Sequence, residues 1–346
     1  MNRLKTLPGW RLAWIICFVL GYEATSQSYT VGQQSFVYFD SARQRPLKVE
    51  IWYPSENKLT ENVGENAQKT IFKSFRTAFH APIASGNWPM LVLSHGTGGN
   101  RFSLNWLVQR FVPHGYVMVA VDHYGNTFDN KIPREFLKWW ERATDISYVI
   151  SHVLKEEDFL GQINQNRIGG IGFSLGGYTQ IALAGGKVDR ALVASMEKDL
   201  PPEFPETAGR IHLLNDQELN QSYELFAGRV KDKRIKSFFV MAPALGSGFD
   251  SSQQFESVTA PVFMVAGRGD TNTPIASNAQ NYHRLISTSK LTLFNEFVGH
   301  YVFLNEPTEF GKKVAPDICV DHPRVNRKEI HDTVFTLAKE FFDKNL

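Results

Sequence analysis

Three stretches of this chain are apolar at nearly every position: "LVLSHG" at 91–96, "VMVAVDH" at 117–123 and "VFMVAG" at 262–267. A strand with one wet face alternates apolar and polar residues, whereas a strand covered on both faces does not. These runs therefore demand a sheet buried on both sides. Similar short runs recur at Phe36–Phe39, Leu47–Tyr53, Met90–Ser94, Tyr116–Asp122, Arg167–Gly172, Ser237–Ala242, Pro261–Gly267 and Leu291–Phe297. They are rich in Val, Ile and Phe, and most end in Gly, Pro, Asp or His. The first two lie close together and alternate, which suggests an antiparallel start. From Met90 onward helical segments separate the runs: Phe102–Pro113, Ile132–Leu154, Leu175–Ala184, Pro274–Ile286 and Lys328–Phe342. Alternation of this kind predicts an α/β chain, with a mostly parallel eight-stranded sheet and helices on both faces.

Two stretches break the rhythm. Glu56–Pro89 is polar and then aromatic, with no clear period. Lys187–Arg234 is a 48-residue insert containing "DLPPEFPE" and charged helical pieces. It is too short for a good core of its own, and it reads as a small partial lid. The remainder, 27–346, reads as one domain.

The N-terminus reads as an export signal. Arg3, Lys5 and Arg11 form a basic head before the 11-residue apolar run "LAWIICFVLGY", which is too short to span a bilayer. "ATS" at 24–26 offers small residues to a signal peptidase, placing cleavage near Ser26 and the protein in a secreted or periplasmic setting. A lipid anchor on Cys17 fits less well, because Ile16 is bulky where a small residue is expected. Removing residues 1–26 leaves 34 basic and 34 acidic side chains. No long basic run remains, which argues against a nucleic-acid partner. Cys319 is then the only cysteine, so no intrachain disulfide forms and no cysteine metal spacing exists.

Chemistry is expected where ligands bind in such sheets, at the carboxyl ends of the strands. "NRIGGIGFSLGGYTQIAL" at 166–183 reads as strand, glycine-flanked serine, then helix. The pattern Gly172-Phe173-Ser174-Leu175-Gly176 matches G-x-S-x-G, a nucleophile elbow that needs a strand before it, a helix after it and small residues beside the serine. After the Pro261 run comes "GRGDTNTP" with Asp270, and after the Leu291 run comes "VGHYVF" with His300. The order Ser, Asp, His is that of the α/β-hydrolases. A serine hydroxyl is a poor nucleophile without a base; His300 supplies one and Asp270 would orient its imidazole. The backbone N–H groups of Thr97 and Leu175 are candidate donors to the oxyanion. Asp270 could instead cap a turn before Pro274, with Asp250 as reserve acid. His95, His123 and His283 are the other histidines weighed as base. A metal held by His95, His123 and Asp122 lacks suitable spacing, and no cofactor is called for. His95, Phe102, Trp139, Trp140 and Tyr301 are candidate substrate-binding residues, although such residues more often simply pack.

With these residues in place, the chain resembles the platelet-activating-factor acetylhydrolase-like group of α/β-hydrolases, whose bacterial members are often called predicted dienelactone hydrolases. The likeness is carried by "RQRPLKVEIWYP" (43–54), "LVLSHGTGGNRFSLNWLVQRFVPHGYVMVAVDHYGNT" (91–127), "WERATDISYVISHVL" (140–154), "NRIGGIGFSLGGYT" (166–179), "MAPALG" (241–246), "AGRGDTNTP" (266–274) and "GHYVFL" (299–304). It implies an α/β-hydrolase fold, Ser174 as nucleophile, Asp270 as acid, His300 as base, and Thr97 and Leu175 as oxyanion donors. Dienelactone hydrolases proper carry a cysteine where this elbow holds Ser174, and relatives often carry two cysteines near the C-terminus where this chain has only Cys319. The expectation is a serine esterase for short to medium acyl esters, including lipid or phospholipid esters, with membrane contact open. A lipase or polyesterase of the same fold, and a non-catalytic binding module on that fold, are the alternatives.

Overall fold

The computed structural model describes residues 29–57, 70–196, 208–209 and 211–346. The export signal, the cleavage point near Ser26 and part of the 187–234 insert lie outside these residues. Among the described residues no helix is long and apolar enough to cross a membrane.

Among the described residues nine strands form one sheet: β1 (Thr30–Asp40), β2 (Arg45–Ser55), β3 (Ala78–Phe79), β4 (Trp88–Ser94), β5 (Val117–Val121), β6 (Ile163–Phe173), β7 (Ile235–Met241), β8 (Val262–Gly267) and β9 (Ser289–Phe294). Their order is β3-β1-β2-β5-β4-β6-β7-β8-β9. β1 and β2 pair antiparallel, β2 pairs antiparallel with β5, and every neighbour from β5 to β9 is parallel. The ninth strand is the difference from the eight expected. β3 is a two-residue piece parallel to β1 inside the stretch 56–89, too short to leave a periodic trace.

Among the described residues there are ten α-helices: α1 (Asn105–Phe111), α2 (Pro133–Leu137), α3 (Glu141–Val153), α4 (Leu175–Ala184), α5 (Arg190–Met196), α6 (Gln217–Phe226), α7 (Ala279–Leu285), α8 (Glu309–Val314), α9 (Pro316–Cys319) and α10 (Arg327–Asn345). The expected helix at 132–154 is two, because Lys138 leaves helical geometry between α2 and α3.

Strand residues alternate between two cores. Met90, Val92, Val117, Val119, Phe238 and Val240 face one side with α3, α4 and α7. Leu91, Leu93, Met118, Ala120, Phe239 and Met241 face the other with α1 and α10. This explains the unbroken apolar runs: each strand offers an apolar residue to both faces. It is the layer arrangement of an α/β-hydrolase.

Candidate active site

β6 ends at Phe173 and α4 begins at Leu175, so Ser174 alone makes the turn. It does so at φ 55° and ψ −119°, a conformation that costs a non-glycine residue roughly 1–3 kcal/mol. Surrounding hydrogen bonds hold it there. Its N–H donates to Met241 O at 3.0 Å, and its carbonyl accepts from Ala244 N at 3.0 Å. Small neighbours are obligatory. A Cβ on Gly172 would lie 2.1 Å from Gly176 O, and a Cβ on Gly176 would lie 1.9 Å from Ser94 O. Glycine at these positions lets the elbow close against the end of β4.

Asp270 follows β8 and His300 opens the turn after β9. His300 Nδ1 lies 2.7 Å from Asp270 Oδ2. Thr273 Oγ1 donates to the same carboxylate oxygen at 2.8 Å, and the N–H groups of Asn272 and Thr273 donate to Oδ1 at 2.9 and 2.8 Å. The carboxylate is thus fixed from both sides and faces Nδ1, which favours the tautomer with its proton there and Nε2 as the acceptor. Asp270 is therefore more than a turn residue, while Asp250 is exposed in the loop after β7, and its backbone N–H donates to Gln254 Oε1 at 2.9 Å. The Phe173 ring lies 4.7 Å from that of His300. Ser174 and His300 line one cavity, and neither Ser174 Oγ nor His300 Nε2 has a hydrogen-bond partner among the described residues.

Thr97 and Leu175 line the same cavity. Their backbone N–H groups find no acceptor among the described residues. Two free donors beside a hydroxyl and an imidazole are what an oxyanion intermediate requires.

The cavity is about 1160 Å³ and straddles the carboxyl edge of the sheet. Leu137, Trp139 and Leu175 wall it from one core; Trp52, Phe75 and Phe102 wall it from the other. Of the expected substrate-contacting residues, Phe102 and Tyr301 line it, as does Trp139. Trp140 and His95 do not. Trp140 is fully buried behind the cavity, with Nε1 donating to Ser222 Oγ at 2.8 Å. His95 is consumed by the loop itself: Nδ1 meets Gly96 O at 2.7 Å and Nε2 accepts from His123 N at 3.2 Å. Burial pushes the His95 pKa well below its usual value, with Arg142 adding to the effect, so the ring is neutral and structural.

The remaining histidines are also accounted for. His283 sits on α7 against Ser289 Oγ at 2.9 Å. His123 stands between Asp145 Oδ2 and Ser94 Oγ, 2.9 Å from each. This is a Ser-His-Asp chain by composition, but Ser94, His123 and Asp145 are each at most 1% exposed, and no substrate reaches them. Asp122 is engaged by Arg101 through its N–H and guanidinium.

None of the described residues of the insert at 187–234 lines the cavity. Instead α6 packs on α3 through Ser222 and Tyr223 against Trp140. The wall comes from 70–77, within the stretch that has no period. Phe72 pairs with Pro307, Lys73 N donates to Glu306 O at 2.8 Å, and Thr308 N donates to Ile71 O at 3.0 Å. That segment is thereby fastened to the chain just beyond His300.

α10 fixes the His300 turn from below. His331 stacks on Trp106 with centroids 3.9 Å apart, and its Nε2 lies 2.8 Å from Val302 O. Burial holds its pKa down to about 4. The unfolded chain takes up this proton below about pH 6.5, while the fold refuses it until about pH 4. Stability is therefore full above pH 6.5 and falls as pH drops towards 4, by about 3 kcal/mol at most from this residue. Urea unfolding between pH 7 and 4.5 checks this. The His331→Gln variant is expected to show a shallower decline than the parent, and an identical decline would contradict the assignment.

No family model matches the chain, and no curated protein matches it. Among solved structures it is similar to a ferulic acid esterase from Streptomyces cinnamoneus, with a TM-score of 0.60, 17% identity, 93% of this chain and 91% of that chain covered. The likeness shows the α/β-hydrolase fold. It does not extend to the narrower acetylhydrolase-like or dienelactone hydrolase grouping.

Proposed function

We propose that the protein is a serine carboxylic-ester hydrolase working through an acyl-enzyme. The observation that carries this reading is one cavity holding a strained serine hydroxyl, an imidazole with its Nδ1 bound to a buried carboxylate, and two unpaired backbone N–H groups. Ser174 Oγ attacks the ester carbonyl while His300 Nε2 takes its proton. Thr97 N–H and Leu175 N–H receive the oxyanion, and Asp270 stabilises the imidazolium. His300 then protonates the departing alkoxide, and water repeats the cycle to release the acid and regenerate Ser174.

The cavity volume and its two apolar walls support esters that are bulky on at least one side, from medium acyl chains to aromatic groups, rather than acetyl esters alone. The acetylhydrolase-like and phospholipid readings belong to this proposal as its narrower forms. Hydrolysis of 4-nitrophenyl esters from acetate to palmitate tests it. Turnover is expected to rise from acetate to a medium chain. A maximum at acetate would remove the medium-acyl part and leave only the acetylhydrolase-like form, and no hydrolysis of any ester by the folded protein would remove the reading as a whole.

A further inference from the structure

We propose that Arg142 is a positioning residue of the oxyanion hole, tying the loop that carries Thr97 to the first turn of the helix headed by Leu175. The inference rests on the esterase reading above and names the device that sets its two donors.

Arg142 lies in the first turn of α3 and is 2% exposed. A guanidinium so deeply buried is costly unless it is paired, and the usual partner is a carboxylate. Among the described residues no carboxylate lies within ion-pair distance of Arg142. Asp145, one turn further along α3, is occupied by Arg43 Nη1 at 2.7 Å and by His123 Nδ1 at 2.9 Å. Nε and Nη2 of Arg142 go to neutral acceptors instead, while Nη1 is buried without a partner among the described residues. Nη2 donates to the carbonyl of His95, two residues before Thr97. Nε donates to Thr179 Oγ1 at 3.2 Å. Thr179 Oγ1 in turn donates to Leu175 O at 3.0 Å. One side chain therefore links the two segments that supply the two oxyanion donors.

The surrounding hydrogen bonds fix the loop end of this bridge. Ser94 Oγ donates to His123 Nε2 at 2.9 Å, with His123 Nδ1 held by Asp145. The His123 N–H reaches His95 Nε2 at 3.2 Å. Ser94 O and His95 O also lie where a side chain on Gly176 would stand. The loop is thus pinned from β5, from α3 and from the elbow, and Arg142 is the member that touches both sides of the hole. Its flat, multi-donor head is suited to this. A lysine ammonium in the same place keeps the charge but cannot reach the loop carbonyl and the threonine with one rigid fork.

The test uses the full chain and two variants, Arg142→Lys and Thr179→Val. The first keeps the buried charge. The second breaks only the link to the elbow helix, at nearly constant volume. Turnover of a 4-nitrophenyl ester is measured per active site, titrated by its burst of 4-nitrophenol. Inhibition by an alkyl trifluoromethyl ketone, whose adduct bears an oxyanion, is measured beside it. For both variants kcat is expected to fall roughly 10- to 100-fold with KM within about twofold, and the ketone to bind weaker by the same factor as kcat/KM. If Arg142→Lys does not fold, Thr179→Val alone decides. A wild-type protein without ester turnover would defeat the esterase reading itself. Active wild type, with folded variants that keep wild-type kcat and ketone affinity at a lowered melting temperature, would mean that Arg142 only supports the fold and would overturn the inference.

Discussion

Replacing Ser174 by alanine is expected to lower ester turnover by about 10⁴-fold or more while leaving the fold intact. The two halves of this expectation have separate grounds. Turnover collapses because the nearest other cavity hydroxyl, Thr273 Oγ1, lies on the Nδ1 side of His300 at 3.2 Å and is committed to Asp270 Oδ2. Two other serines meet histidines, and neither lines the cavity: Ser94 is fully buried against His123, and Ser289 meets His283 on α7. The fold survives because Ser174 Oγ makes no hydrogen bond among the described residues, so its removal leaves no partner there stranded. The backbone bonds that hold the turn, from Ser174 N to Met241 O and from Ala244 N to Ser174 O, involve no side-chain atom. Matched melting temperatures and 4-nitrophenyl ester assays on both proteins check this. Equal rates would reduce Ser174 to a turn residue and bring the binding-module alternative forward.

The second large effect concerns stability. Gly176→Ala is expected to cost about 3 kcal/mol or more, at the upper end of what overpacking does. The added Cβ would stand 1.9 Å from Ser94 O, 2.5 Å from Ser94 C and 2.7 Å from His95 O. All three are backbone atoms, so no rotamer change relieves the contact. Either α4 tilts away from the sheet or the end of β4 moves, and β4 is bonded on both sides by β5 and β6. Any shift also displaces the loop leading to Thr97, so the folded fraction is expected to lose turnover as well. Urea unfolding with a per-site turnover measurement reads both. Wild-type stability in this variant would show that the elbow is looser than its geometry implies.

What could be read from the sequence follows the range of the interactions involved. The elbow was legible because its signal is local: strand, glycine, serine, glycine and helix lie within a single stretch. Asp270 and His300 were legible because the sheet's topology puts functional side chains at strand ends, and strands can be found from apolar runs. Roles set by distant contacts were not legible. Trp139 and Trp140 are adjacent and alike. Which one faces the cavity depends on the break after Leu137, which no apolar period marks. His95 looked like a substrate contact until the end of β5 brought His123 N to its Nε2. The wall at 70–77 has no period of its own and takes its shape from residues 306–308, more than two hundred positions away. The insert at 187–234 reads as a partial lid by its length and charge, and nothing in that reading places its described helix α6. Its docking on α3 is decided by Ser222 and Tyr223 meeting a buried tryptophan.

The most direct test of the central claim is covalent. The protein is treated with a fluorophosphonate, and intact mass and peptide mapping locate the adduct. The account predicts one phosphonyl group per chain, on Ser174, and none on Ser174→Ala. A well-folded protein that takes no label, or takes it on another residue, would contradict the assignment of Ser174 as an activated nucleophile.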